Sequence, residues 1–176
     1  MLRGDRICLG PLVGSDSAKL FAWLNDPAVA RSNGPYRPLD QAKFDQWFAN
    51  VGADPARVVF AIRMLGDLRL LGYLQIVDIN ATLRTANLGL VIGSDADRGK
   101  GYGGEALSLA IGCGWRDLNL QRLQLTVVGA NPRAIGVYER AGFEIEGVLR
   151  RAAYVGGEYR DITVMGLLRT ADEAAA

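Results

Sequence analysis

Apolar positions along this chain switch between a period of two and a helical period, and each switch marks an element. Residues 7–12 predict a short opening strand, closed by Gly14 and by Ser15 or Asp16 as a helix N-cap. Leu20, Phe21 and Leu24 recur at helical spacing up to Asn25-Asp26-Pro27, where the residue before proline is pushed out of the helical region. Residues 28–38, with Asn33-Gly34-Pro35 and Arg37-Pro38, read as a loop, and Asp40 caps a second helix whose Phe44, Trp47, Phe48 and Val51 form one apolar face. Residues 58–64, a turn at Leu65-Gly66-Asp67 and residues 68–79 predict a β-hairpin. Strand-like residues 86–92 lead into Arg98-Gly99-Lys100-Gly101-Tyr102-Gly103-Gly104, followed by a long amphipathic helix marked by Leu107, Ala110, Ile111, Gly114 and Leu118. Residues 122–128 alternate again, and Asn131 with Pro132 starts a short helix that runs to about Ala141 and stops at Gly142. Residues 144–154 and 159–168, about Gly156-Gly157, predict a closing hairpin, with 170–176 a frayed tail.

A length of 176 residues accommodates one domain, read as 1–170 with the tail 171–176 appended, and 49% hydrophobic residues suffice for a core. The net charge of +1 gives no broad attraction to nucleic acid or anionic membranes, so any anion site must be local. Histidine is absent, which excludes His triads, His metal sites and the commonest general base. Cys8 and Cys113 stand far apart without a CxxC partner, which fits a reducing, cytoplasmic setting better than a disulfide framework or a zinc knuckle. The polar N-terminus and the lack of a membrane-length apolar stretch indicate neither secretion nor a transmembrane helix.

The glycine loop opens a helix, where unsatisfied N–H groups and partial positive charge favour an anion, and Arg98 and Lys100 add mobile charge. It is not a Walker A loop, because no Lys-Ser or Lys-Thr follows Gly101, and its place after antiparallel-looking strands disfavours a dinucleotide fingerprint. The run Arg98-Gly99-Lys100-Gly101-Tyr102-Gly103 resembles the Arg/Gln-x-x-Gly-x-Gly/Ala loop of the GNAT N-acetyltransferases. Asn131-Pro132-Arg133-Ala134, Tyr138 seven residues after Asn131, Gly142-Phe143-Glu144 and Gly147-Val148-Leu149-Arg150 are similar to that family's second half. Tyr154, Gly157-Glu158-Tyr159-Arg160-Asp161 and Met165 resemble the branch holding ribosomal-protein alanine and spermidine acetyltransferases.

The resemblance implies an α/β (α+β) fold whose central, mostly antiparallel sheet is flanked by helices and splayed between its fourth and fifth strands, near Ile92 and Val128. Acetyl-CoA, the acyl donor, would enter the splay, with no metal involved. By the same resemblance Leu90, Val91 and Ile92 pair with the pantetheine, the amides of Lys100, Gly101, Tyr102, Gly103 and Gly104 hold the pyrophosphate, and Arg98 and Gly99 belong to the same cofactor site. Asn131, Arg133, Tyr138 and Arg140 face the cofactor from the other side, and Asn131 doubles as a helix cap.

The implied reaction is direct attack of a neutral primary amine on the thioester in a ternary complex. Tyr138 is the expected general acid for the leaving thiolate, and the Ile92 N–H the expected oxyanion donor. The base is not evident: where many members have glutamate this chain has Asn87, leaving Asp78, Asp26 or a water chain. Acceptor residues are sought in Arg31, Tyr36, Arg37, Asp78, Asn87 and Tyr154. An ammonium of pKa near 10.4 is neutral in only about one molecule in two thousand at neutral pH, and an α-amine near 7.7 in about one in six, so the lack of a base leans toward weakly basic amines. Two arginines and no dense acidic cluster in the 28–38 loop disfavour spermidine. The acceptor is thus expected to be a peptide N-terminus or a small amine, in a protein that could form a homodimer. A non-catalytic acyl-CoA sensor, favoured by Asn87, and an enzyme using another donor such as succinyl-CoA are the alternatives.

Overall fold

The computed structural model describes residues 1–31, 34–129 and 131–170; Asn33 of the loop signature and the 171–176 tail lie outside the described residues. A two-residue strand β1 (Leu2–Arg3), not foreseen in the sequence, pairs with β2 (Ile7–Gly10). After a 3-10 turn at Gly14–Asp16 comes helix α1 (Ser17–Leu24). Asp16 stands before this helix but does not cap it; its carboxylate accepts the Val13 N–H at 2.8 Å and pairs with a buried arginine, Arg63, at 2.6 and 2.9 Å. A one-turn helix α2 (Pro27–Ala30) replaces the start of the predicted loop, because the Asp26 side chain accepts the Ala28 N–H at 2.8 Å and Pro27 fits the first helical position. Asp40 caps α3 (Gln41–Asn50) through the Lys43 N–H, and Phe44 buries its ring edge-on to Phe21.

Strands β3 (Val58–Met64) and β4 (Leu70–Asn80) form the expected hairpin. β4 starts later than predicted because Leu68 sits in the turn at φ 55°. Then come β5 (Thr85–Ile92), α4 (Tyr102–Arg116), β6 (Arg122–Val128), α5 (Pro132–Arg140), β7 (Glu144–Val155) and β8 (Glu158–Leu168). Gly156 and Gly157, at φ 64° and 88°, supply the two left-handed positions that a tight hairpin turn requires.

The strands form one sheet in the order β1-β2-β3-β4-β5-β6-β8-β7. Every neighbouring pair is antiparallel except β5 and β6, which run parallel and pair only over Thr85, Ala86 and Asn87 with Arg122, Leu123 and Gln124. Past Asn87 the two strands part, which is the expected splay; β1 makes them the fifth and sixth strands rather than the fourth and fifth. One face of the sheet buries Ile62, Leu74, Ile76 and Leu88 against Leu107 and Ala110 of α4, with α5 alongside. The other face carries Ala61, Leu70 and Val91 against Leu20, Trp23 and Phe44 of α1 and α3.

Candidate active site

The splay opens into a cleft of about 500 Å³. Leu90, Val91 and Ile92 form its β5 wall; Arg98, Gly99, Gly101, Tyr102, Gly103 and Gly104 lie at the start of α4; Asn131, Arg133, Tyr138 and Arg140 face them from α5. Lys100 is the expected donor residue absent from this lining, and its carbonyl accepts the Arg6 guanidinium at 2.8 Å. Asp97, Thr126, Val127, Ala134 and Val137 also line the cleft. They were missed because neither alternation nor helical spacing says which flank of a strand or helix will border a gap.

Gly101 occupies the N-cap of α4 at φ 86°, with no side chain bonded to the first-turn N–H groups. A Cβ there would come within 2.8 Å of the tip of the Arg6 side chain, which can swing aside, so it is the left-handed backbone that calls for glycine. Nearby carboxylates are paired. Arg69 holds Asp97 at 2.7 and 3.0 Å, and that hydrogen-bonded pairing keeps the Asp97 carboxyl below its ordinary range. Glu105 accepts the backbone N–H groups of Arg6 and Ile7 at 2.8 and 3.2 Å. Burial pushes the Glu105 carboxyl up, but those bonds and the Arg6 guanidinium outweigh it and hold it down. The first-turn N–H groups of α4 are thus left at the cleft without a side-chain cap. Arg98 is less mobile than its sequence suggested, since its guanidinium braces the Ile92 and Gly93 carbonyls at 3.0 and 3.2 Å and pairs with Asp95.

Across the cleft, Asn131 accepts the Ala134 N–H at 3.0 Å, performing its capping role. Tyr138 packs edge-on against Phe143 at 5.9 Å, and burial pushes its phenol pKa up. Two smaller clefts reach β5 from the side of the acceptor candidates. One, of about 400 Å³, is lined by Tyr73, Gln75, Asn87, Leu125 and Thr126 among others; the other, of about 380 Å³, lies among Trp23, Leu24, Val29, Arg37 and Leu39. Tyr73 lines both, its phenol pushed up by burial, and its cross-strand partner Val91 lines all three clefts. Tyr73 and Gln75 were invisible as site residues because an alternating strand displays them only as one face of a hairpin.

Of the acceptor candidates, Arg37 and Asn87 enter these clefts, and Asp78 touches Asn87, whose Nδ2 donates to its carboxylate at 2.7 Å. Arg31 and Tyr36 line none of the three. Tyr154 stands apart at the hairpin end, 57% exposed, with its ring against Tyr159 at 5.1 Å. Asp26 is occupied in capping α2.

The sheet is parted at its parallel pair, with an uncapped helix N-terminus on one side of the gap and the half-buried Tyr138 phenol on the other. Residues 6–144 match the acetyltransferase (GNAT) domain model, and the chain belongs to that family. It is 32% identical over 98% of its length to the probable N-acetyltransferase YjcK of Bacillus subtilis, covering 99% of that protein. It is also 37% identical to the spermidine N(1)-acetyltransferase of Escherichia coli K12 over 51% of this chain and 48% of that protein, and 31% identical to that of Vibrio cholerae over 57% and 58%. The match thus spans only about half the length of those spermidine enzymes. In fold, the chain superposes on the Vibrio cholerae spermidine N-acetyltransferase in complex with CoA and spermine at a TM-score of 0.86, 22% identity, covering 97% of this chain and 98% of the other. Among the described residues, no group of three His, Cys, Asp or Glu side chains could hold a metal ion, and no helix is long and apolar enough to cross a membrane.

Proposed function

We propose that the protein is an acetyl-CoA-dependent N-acetyltransferase that acetylates a primary amine by direct attack in a ternary complex. The observation that carries this reading is the meeting of three clefts at Val91, which lets a thioester held on one side of β5 be reached by an amine from the other. The pantetheine would run beside Leu90, Val91 and Ile92, with the pyrophosphate at the loop from Arg98 to Gly104, and Asn131, Arg133 and Arg140 opposite. The Gly93 N–H donates to Leu71 across β4 at 3.0 Å, so alternation along the strand turns the Ile92 N–H toward the gap. That supports Ile92 as oxyanion donor. As the amine nitrogen bonds to the acyl carbon, the C–S bond breaks and the Tyr138 phenol protonates the thiolate; the proton shed by the new ammonium goes to solvent, and solvent returns one to the phenolate.

The acceptor is a monoamine with apolar character, such as an aromatic amine, an amino acid amide or a peptide N-terminus. Residues 28–39 contain two arginines and no carboxylate, and the cleft beside them is lined by Trp23, Leu24, Val29 and Tyr73. A polyamine binds through several ammonium groups and calls for several carboxylates. The test is acetyl-CoA-dependent thiol release with tyramine, phenylalanine amide, alanine-initiated peptides and spermidine. Turnover of a monoamine or peptide ahead of spermidine supports the reading; spermidine as the best acceptor rejects the monoamine assignment. Acetyl-CoA binding without turnover on any of them favours the sensor reading that Asn87 suggests. A homodimer through the closing hairpin, where Val148 and Leu149 are exposed, belongs to the same proposal and is checked by sedimentation.

A further inference from the structure

β4 does not keep its register to the end. Val77 pairs with Asn87 and Asn80 with Thr85, so β4 spends one more residue than β5 between these pairs, and Asp78 takes φ 53° at the irregularity. An inserted residue of this kind re-aims side chains. In unbroken alternation Asp78 would follow Leu74 and Ile76 onto the face packed against α4, beside the buried Ala86. Instead Ile79 packs against that core, and the Asp78 carboxylate, exposed, accepts the Asn87 amide at 2.7 Å. Asn87 shares its face with Gly89 and Val91, the residues opposite Gln75 and Tyr73, and together these five line the 400 Å³ cleft.

We infer that Asp78, delivered by this bulge and held by Asn87, is the carboxylate that receives the acceptor's ammonium group at the mouth of the splay. The inference rests on the acetyltransferase reading and deepens it: Asn87 has no charge to offer an ammonium, and its amide orients the neighbouring carboxylate that does. No residue lining the two acceptor clefts is an aspartate or a glutamate, and Arg37 is the charged one; Asp78 stands just outside the lining of the 400 Å³ cleft, joined to it through its hydrogen bond from Asn87. One carboxylate at the cleft suits one ammonium. The Arg122–Glu146 ion pair lies farther along, where Arg122 also reaches Gln124, the residue opposite Asn87 on β6. Asn87 is a positioning residue in this arrangement and Asp78 the recognition residue.

The decisive variant is Asp78→Asn, because asparagine tolerates left-handed backbone as aspartate does, so the bulge is preserved. With the panel's fastest monoamine as probe, its KM should rise about tenfold or more, as expected for loss of a charge-assisted hydrogen bond, while acetyl-CoA affinity stays within about twofold. The decline of kcat/KM with added salt, present in the wild type, should flatten in the variant, which a merely structural role would not cause. Adding Asn87→Glu to that variant should restore most of the lost kcat/KM by returning a carboxylate to the same face. Asn87→Ala, which keeps Asp78 but releases it, should raise KM about fivefold and serves if Asp78→Asn melts early. Unchanged KM and an unchanged salt slope in either variant overturn the inference and leave the acetyltransferase reading standing. A wild-type protein that turns over no amine in the panel removes that reading and this inference with it.

Discussion

Tyr138 illustrates how one side chain can be tested apart from its packing. Its ring lies against Phe143 and its phenol borders the donor cleft, so Tyr138→Phe keeps the buried surface and removes only the hydroxyl. If the phenol protonates the leaving thiolate, kcat should fall about 100-fold or more with acetyl-CoA affinity nearly unchanged, measured by thiol release and calorimetric titration. Asp16 makes the opposite case, a residue that holds the expected N-cap position of α1 while its side chain makes no capping bond. Its position before a helix suggested capping, but the carboxylate is buried against Arg63, 47 positions away. Nothing in a strand's alternation marks an arginine that will point inward, so the partner that captures Asp16 could not be read from the chain. Asp16→Ala would leave the Arg63 charge buried and unpaired and should cost about 3–5 kcal/mol in urea denaturation. Replacing both residues by apolar side chains should recover much of that loss.

Among the elements, the glycine loop was legible because its requirement is local. Gly101 must be left-handed for α4 to begin where it does, and no distant contact is needed to see that. Gly101→Ala should weaken acetyl-CoA binding about tenfold while leaving the far-UV dichroism of the protein unchanged, since it strains the cap and crowds Arg6 without touching the helix interior. The splay was legible only through family resemblance, because it depends on where β5 and β6 stop pairing, and strands of identical pattern could have paired along their full length. Helix α2 was missed for a different reason: Asp26-Pro27 is both a stop for α1 and a start for the next turn, and the sequence offers no way to choose. The bulge in β4 was hidden likewise, since Asp78 between Val77 and Ile79 looks like ordinary alternation.

For the molecule as a whole, the ionisable groups divide stability from activity along the pH axis. Pairing with Arg69 lowers Asp97 from 3.8, and hydrogen bonds from Arg6 and Ile7 offset burial to lower Glu105 from 4.5. Carboxylates depressed in the folded state contribute stability that is complete above those ordinary values and is lost as pH falls through the depressed ones, so acid weakening should begin below about pH 4.5. At the other end, burial and then the hydrogen bond that the thiol donates to Asp117 push Cys113 from 9.0 up to about 11. The unfolded chain then releases its proton first, and stability should decline above about pH 9. With no histidine in the chain, urea midpoints should be flat between about pH 5 and pH 9. Burial also keeps the Tyr138 phenol above its ordinary 10.0, so the acid proposed for the thiolate stays protonated throughout that window. Any change of kcat/KM within it therefore reports the acceptor. For an α-amine of pKa near 7.7 the rate should climb about tenfold per unit and level off near pH 8, whereas an alkylammonium near 10.4 should still be climbing at pH 9. With an alkylammonium acceptor, which does not itself pass through its pKa there, a decline in kcat/KM between pH 7 and 9 at an unchanged urea midpoint would reject Tyr138 as the proton donor, because an acid of the enzyme would then be titrating inside the window.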